Sequence, residues 1–342
     1  MHDPEPLAAI LERADQRAQP LRQDVALQEA MQRCITLGHD RLPLPGNGDT
    51  LQRWQTLAEV ASHDLSLAKL FESHTDAIAI LHELDCAHLQ PWGIGAVWAA
   101  EPPHARVQVS HDGHGAAQLN GTKAWCSGAA QIDWALLTAW GDHPQPQLVI
   151  VELEQPQVTV GTQGWQAVGM AATASVEVSF AEAPALLVGA PGDYLTRPGF
   201  WQGGAGIAAC WYGAATGLAG YLRRFCQQRQ NDPHALAHLG AVDTALTSAA
   251  AALRACAQWI DDNPAADAQL PVRRVRAQVE YGCEQVLHHV GRAMGATPFC
   301  RDARFARLAA DLPVFLRQSH AERDLAELGQ LAAQRGDPEW SL

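Results

Sequence analysis

The chain has 342 residues, 37 acidic against 24 basic, and a formal charge of −13. At roughly 100–200 residues per domain that length holds two or three domains, and the acidic balance excludes a sequence-independent grip on a phosphate backbone. With 47% hydrophobic and 18% charged residues the chain buries a substantial core and is not a disordered polymer.

Residues 1–90 read as helical. Leu21–Leu37 and Leu51–Val60 carry apolar residues at three- and four-residue steps, separated by the turn-forming cluster Pro43–Asp49, and the pattern recurs over Leu65–Leu84. After Pro91 it gives way to short apolar or alternating runs broken by glycine, proline and asparagine. The expected strands are Ala96–Ala99, Arg106–Val109, Gln118–Leu119, Trp134–Ala139, Gln147–Leu153, Val158–Val160 and Ser175–Phe180. Helical periodicity returns in Gly199–Gln228, His238–Ile260, Pro271–Met294 and Arg304–Leu328, with Pro233, Asn263–Pro264 and Ala296–Pro298 as the breaks. The reading is an α+β chain with an N-terminal helical domain (1–90), a central antiparallel β domain (91–197) and a C-terminal four-helix bundle (198–342). Helices, then strands, then helices argue against an alternating doubly wound sheet.

Gly199–Leu222 contains no charged residue, which is long enough to span a bilayer as a helix. Seven of its residues are glycine, however, and it lacks the dense branched-aliphatic content that drives insertion. The expectation is a buried bundle helix in which Gly213, Ala214, Gly217 and Gly220 permit close backbone approach, and no membrane span. Eight cysteines, at 34, 86, 126, 210, 226, 256, 283 and 300, include no C-x-x-C pair, and no secretory signal opens the chain. A reduced, cytoplasmic protein is expected.

The stretch with most chemical content is Leu119-Asn-Gly-Thr-Lys-Ala-Trp-Cys-Ser-Gly-Ala129. Asn120-Gly121 reads as a two-residue hairpin signal, after which the chain re-enters the sheet with Trp125 and Ser127 on one face. An indole beside a hydroxyl suits a planar heteroaromatic ligand, one group stacking and the other hydrogen-bonding; equally, the residues themselves allow Trp125 to be core and Ser127 a turn residue. His234 and His238, four apart, have no third partner in an H-E-x-x-H arrangement, so no metal site is expected. His288-His289, in an apolar helix, reads as one core and one surface residue, and the charged run Arg317–Asp324 as a solvated helix face. No glycine-rich phosphate loop is present in the sequence.

On these residues the chain resembles the acyl-CoA dehydrogenase family, whose flavin-contacting strand follows L-x-G-x-K-x-W-[IC]-[ST]. Gly169-Met170, Thr173, Ser175, Val178 and Phe180 resemble the same family's G-M-R-A-T-x-S-x-x-V-x-F strand. The resemblance implies FAD as cofactor, held between β domain and bundle, with Trp125 against the flavin and Ser127 near its reactive nitrogen. Ala99-Ala100-Glu101-Pro102 stands where the family has T-E-P, so Ala99 and Ala100 contact the flavin through backbone while one hydroxyl bond is lost. The family's Gly-Ser-Asp loop, which meets the acyl thioester, is missing after Pro102. Arg229 matches the arginine that holds the FAD diphosphate, although Gln230-Asn231-Asp232-Pro233 replaces the usual phenylalanine-glycine.

Arg301-Asp302-Ala303-Arg304 matches the family's R-D-A-[KR] signature, yet the same spacing places Ala310 where the glutamate base belongs. Asp311, one residue on, is the candidate substitute for the base, though turned away by about 100° on a helix, and Phe200–Gly206, the alternative location, has no acidic residue. The resemblance therefore implies α,β-dehydrogenation of an acyl thioester by a homodimer or homotetramer serving an electron-transfer or reductase partner. Two alternatives stand beside it: a class D flavin monooxygenase of the same fold using externally reduced flavin on a hydrophobic substrate, and a non-catalytic binding or assembly protein.

Overall fold

The computed structural model describes residues 5–17, 23–111, 116–229 and 232–334. Leu21, which opens the first expected helix, and Gln230-Asn231 lie outside these residues. In chain order the elements are α1 (Leu7–Arg17), α2 (Gln23–Leu37), α3 (Thr50–His63), α4 (Leu65–Glu83), β1 (Gly95–Trp98), β2 (Gln108–His111), β3 (Ala116–Cys126), β4 (Trp134–Ala139), β5 (Gln147–Glu152), β6 (Val158–Val160) and β7 (Val176–Val188). Then follow α5 (Asp193–Thr196), α6 (Gly199–Gln228), α7 (Pro233–Asp262), α8 (Gln269–Met294), α9 (Thr297–Arg301), α10 (Ala303–Leu316) and α11 (Glu322–Ala333). The chain divides into two compact units, residues 1–42 with 66–200 and residues 43–65 with 201–342. The first takes α1, α2, α4 and the strands; the second takes α3 and the helices after α5.

In the first unit the strands form one sheet in the order β1-β4-β5-β7-β3-β2, with β6 added to β7. Every pair is antiparallel except β1 with β4. The sheet curls back on itself just past β4, where the Trp140 N–H donates to Val107 O at 2.8 Å and Trp140 O accepts from the Val109 N–H at 2.9 Å. Its core-facing side chains, Trp134, Leu136, Leu148, Ile150 and Val188, pack against Ala77, Ile80 and Leu81 of α4. Truncating one such aliphatic side chain to alanine costs about 2–5 kcal/mol. The same helix covers the outer edge of β1, whose backbone donors would otherwise be open to pairing. Ser73 Oγ accepts from the Val97 N–H and His74 Nδ1 from the Gly95 N–H, each at 2.9 Å. That acceptor role leaves the His74 Nε2 proton facing Asp40 Oδ2 at 3.3 Å.

The second unit shows why the uncharged segment is rich in small residues. A Cβ on Gly213 would stand 2.1 Å from Ala58 O, and one on Gly217 2.6 Å from Ser62 O, so α6 lies directly on the backbone of α3. Asp261, near the end of α7, accepts from the Gly48 and Thr50 N–H groups at 3.1 Å and thereby caps the start of α3. Among the described residues the helix long and apolar enough to cross a membrane is α7, not the 199–222 segment, and 28% of its apolar window is buried.

Three expectations are corrected. Asn120-Gly121 makes no hairpin, because β3 runs straight through it. Gly121, at φ 110°, lets the strand pass the Arg106 carbonyl, which a Cβ would approach to 2.9 Å, and the Asn120 side chain serves the neighbouring strand. Pro233 is not a break but the first residue of α7, behind Asp232, whose carboxylate accepts from the His234 and Ala235 N–H groups at 3.0 Å. Arg304–Leu328 is not one helix. It parts at 317–321, where Ala321 has φ 47° and the Asp324 carboxylate accepts from the His320 N–H at 2.9 Å, restarting the chain as α11. The charged run there docks α11 on α8 through Arg273 with Asp324 and Glu327, while Arg317 meets Glu280 of α8.

Candidate functional site

The site develops at the end of β3. From Asn120 its ladder with β7 is regular up to Lys123 opposite Val178, and the next pair is Cys126 opposite Val176, so β3 carries one residue too many there. That is a bulge, which bends a strand and re-aims a side chain. The bulge places Trp125 at φ 60° with its indole 59% exposed. A left-handed conformation is unusual for a bulky residue. A tight turn in which the Ser127 N–H returns to Trp125 O at 3.0 Å follows it.

Ser127 therefore does not share a strand face with Trp125, as the alternation predicts; it sits in the turn beyond β3, half-buried. Its hydroxyl lies 2.7 Å from Ser175 Oγ. The opposing segment is laced to it by the Gly128 N–H to Thr173 O at 3.3 Å and by Gln131 Nε2 to Ala172 O at 2.9 Å. That segment enters through Met170, a second left-handed residue at φ 55°. Thr173 Oγ1 is buried and has no hydrogen-bond partner among the described residues. From the other side Trp98 Nε1 donates to Ser127 O at 3.1 Å, tying the end of β1, and with it half-buried Ala99 and exposed Ala100, to the same turn.

One exposed indole, a pair of hydroxyls and one buried hydroxyl without a partner thus lie on two segments that are hydrogen-bonded to each other, each with a left-handed residue, Trp125 or Met170. A planar heteroaromatic ring with polar edges fits this donor set, since stacking needs the indole and the edge atoms need hydroxyl partners. Sequence reasoning names Trp125, Ser127, Ala99 and Ala100, and the structure brings these together. It does not anticipate the Trp98 tie or the orphaned Thr173 hydroxyl. The one signal for the first was an indole immediately before Ala99.

The remaining site residues belong to the second unit. Arg229, just past α6, is exposed and holds its guanidinium 4.6 Å over the Phe225 ring. Asp311 is 5% exposed and shares the buried stripe of α10 with Leu308, Leu312 and Phe315, while Ala310 is half-buried beside it. The Arg301–Arg304 signature has a structural use here. Asp302 caps α10 by accepting from the Phe305 N–H at 2.9 Å and receives the Tyr221 hydroxyl at 3.1 Å, and Arg304 reaches Ser62 O at 2.9 Å. His289 is half-buried with its Nδ1 2.9 Å from that of His238, and His288 is exposed. Burial, then the neighbouring His238, His288 and Arg292, hold the His289 pKa below the usual histidine value. Among the described residues no group of three or more His, Cys, Asp or Glu side chains is arranged to hold a metal ion.

Comparison with solved structures gives the class of fold. The chain resembles a nitrososynthase from Micromonospora carbonacea var. africana over 96% of its own length and 95% of that chain, with a TM-score of 0.78 and 17% identity. It resembles KijD3, solved with FMN and dTDP-3-amino-2,3,6-trideoxy-4-keto-3-methyl-D-glucose, over 97% of its own length and 93% of that chain, with a TM-score of 0.76 and 18% identity. It also resembles the dibenzothiophene monooxygenase TdsC from Paenibacillus sp. A11-2, solved with FMN and indole, over 97% and 96%, with a TM-score of 0.76 and 19% identity. The fold is the acyl-CoA dehydrogenase-like α+β fold. No protein-family model matches the sequence, and no curated protein does.

Proposed function

We propose that the protein is a flavin-dependent oxidoreductase working as a monooxygenase, in which flavin reduced by a separate reductase is taken up at the Trp125 bulge and a small hydrophobic substrate is oxygenated. The observation that carries the reading is the buried, unpartnered Thr173 hydroxyl on the segment that is hydrogen-bonded to the turn after the exposed Trp125, together with the Ser127–Ser175 pair that joins the two. Bound reduced flavin supplies activation of dioxygen. Trp125 would cover one face of the ring and keep water from it, Ser127 would meet the polar edge with its rotor steered by Ser175, and Thr173 would gain the partner it lacks.

Oxygenation is favoured over dehydrogenation by the helix α10. Removal of an α-proton needs a carboxylate aimed at the ligand, and the expected position is Ala310, with Asp311 on the buried stripe of its own helix. FMN is favoured over FAD because Arg229, expected at the diphosphate, stacks on its own helix's Phe225. A homodimer or homotetramer, in the cytoplasm, is part of the same proposal. Its test is titration of the purified protein with FMN and FAD, followed by oxygen uptake with and without an external flavin reductase. Tighter binding of FMN and uptake only with the reductase are expected. Failure to bind either flavin, or anaerobic bleaching of bound flavin by acyl thioesters, overturns the reading.

A further inference from the structure

Lys123 is fully buried, at 0% exposure, inside the curled sheet. Lysine is almost never buried without a partner, and removing an ammonium from water costs several kcal/mol unless its protons are met. Here Nζ donates to Glu101 Oε1 at 2.6 Å, Thr138 O at 2.9 Å and Thr138 Oγ1 at 2.8 Å, which uses all three protons. Glu101 is equally engaged. The Thr138 hydroxyl also reaches Oε1, and Oε2 accepts from the Trp140 indole at 2.8 Å. The Arg106 guanidinium lies 4.5 Å over that same Trp140 ring, so the turn between Glu101 and Arg106 is held at both ends.

Well-packed apolar residues in place of a buried ion pair are often as stable or more so. Stability therefore does not account for this network, whereas its position does. Lys123 is the last regularly paired residue before the bulge, two before Trp125, and its carbonyl accepts from Cys126 Sγ across the bulge at 3.2 Å. Glu101 directly follows Ala99-Ala100. We propose that Lys123 and Glu101 are positioning residues for the flavin surface, an ion pair that fastens the Ala99–Pro102 segment and the turn after it to the Trp125 bulge and so presets the shape that receives the ring. The proposal rests on the flavin reading above. Burial, the larger influence, pushes the Lys123 pKa down and the Glu101 carboxylate pulls it back, so the ammonium depends on the carboxylate beside it.

The test uses Lys123→Met, Glu101→Gln and the double variant, with FMN as probe. The readouts are FMN affinity, the visible spectrum of bound FMN, and the Tm of the flavin-free protein. Each single variant should lower Tm, because one charge loses its counter-ion and, in Glu101→Gln, a fully buried ammonium is left without it, and weaken FMN binding at least tenfold. The double variant should recover most of the Tm, since no unpaired charge is left, while affinity and spectrum stay altered because the tie between turn and bulge is gone. If the double variant recovers flavin binding together with Tm, or if the singles lower Tm with FMN affinity unchanged, the pair is structural and the proposal falls. Wild-type protein that binds no flavin removes both proposals. Wild-type binding that is weakened by Trp125→Gly but not by either Lys123→Met or Glu101→Gln removes this one alone.

Discussion

The ladder between β3 and β7 is interrupted twice, and the two interruptions differ in what they leave unpaired. At Leu119/Asn120 the extra residue is Glu182 of β7, at φ 57°; at Lys123/Cys126 it lies on β3, where Trp125 stands at φ 60°. Both force a non-glycine residue into the left-handed region, at about 1–2 kcal/mol each. The first is satisfied locally, because the Asn120 side-chain oxygen accepts from the Glu182 N–H at 2.9 Å and the Glu182 side chain is simply exposed. Around the second, a large indole is exposed and a neighbouring hydroxyl is buried without a partner. Strain that its surroundings do not explain is the kind that functional sites store. The same backbone device therefore serves register at one point of a strand and, on the proposed reading, ligand reception a few residues later.

The largest expected effect comes from separating strain from stacking at the second bulge. In Trp125→Gly the left-handed conformation becomes free of steric cost, at an entropic penalty of about 0.5–1 kcal/mol, so the flavin-free protein should gain up to about 1 kcal/mol. Loss of a stacking platform worth about 1–3 kcal/mol should weaken FMN binding by about tenfold or more. Denaturant unfolding and a flavin titration measure the two sides. Unchanged affinity would show that the exposed indole is a surface accident, and the contrast between the bulges would disappear.

Thr173→Val sharpens the same contrast from the polar side. A buried hydroxyl with no partner costs about 1–3 kcal/mol, so replacing it with a methyl group should stabilise the flavin-free protein by about 1 kcal/mol. The bound state loses the hydrogen bond this hydroxyl is held ready to make, and FMN affinity should drop about three- to tenfold. A gain in stability with no loss of affinity would assign the orphaned hydroxyl to imperfect packing.

How much of this was legible beforehand follows the range of each interaction. The limits of α6, β4 and β6 coincide with the periodicity reading, because burial along those elements is set by the local pattern. The Trp125–Ser127 motif points to the candidate site but not to its geometry. A bulge is a relation between two strands, and nothing in Ala-Trp-Cys-Ser says which ladder rung is skipped. Asn120-Gly121 misled for a related reason, since a dipeptide suited to a hairpin suits equally a strand whose asparagine caps a bulge across the ladder. The break in Arg304–Leu328 depends on the Asp324 carboxylate reaching back to the His320 N–H and the Ser319 hydroxyl, a polar signal inside an otherwise continuous helical pattern. Lys123 and Glu101 stood in quoted motifs, yet their pairing spans 22 positions and needed the sheet to curl before it existed.

The smallest effects belong to the first bulge and test whether it is energetically separate from the second. Asn120→Ala removes the acceptor for the Glu182 N–H and should cost about 0.5–1 kcal/mol, the worth of a solvent-accessible hydrogen bond. Glu182→Gly should recover about 0.5 kcal/mol by freeing the left-handed residue, less its added chain entropy. Neither side chain has a part in the donor set around Trp125, so FMN affinity should stay within about twofold in both variants and in their combination. Were Asn120→Ala to weaken flavin binding as much as Trp125→Gly, a shift in register at the first bulge would have to be travelling along β3 to the second. The two would then be one coupled device, and Asn120 would join Lys123 among the residues that position the flavin.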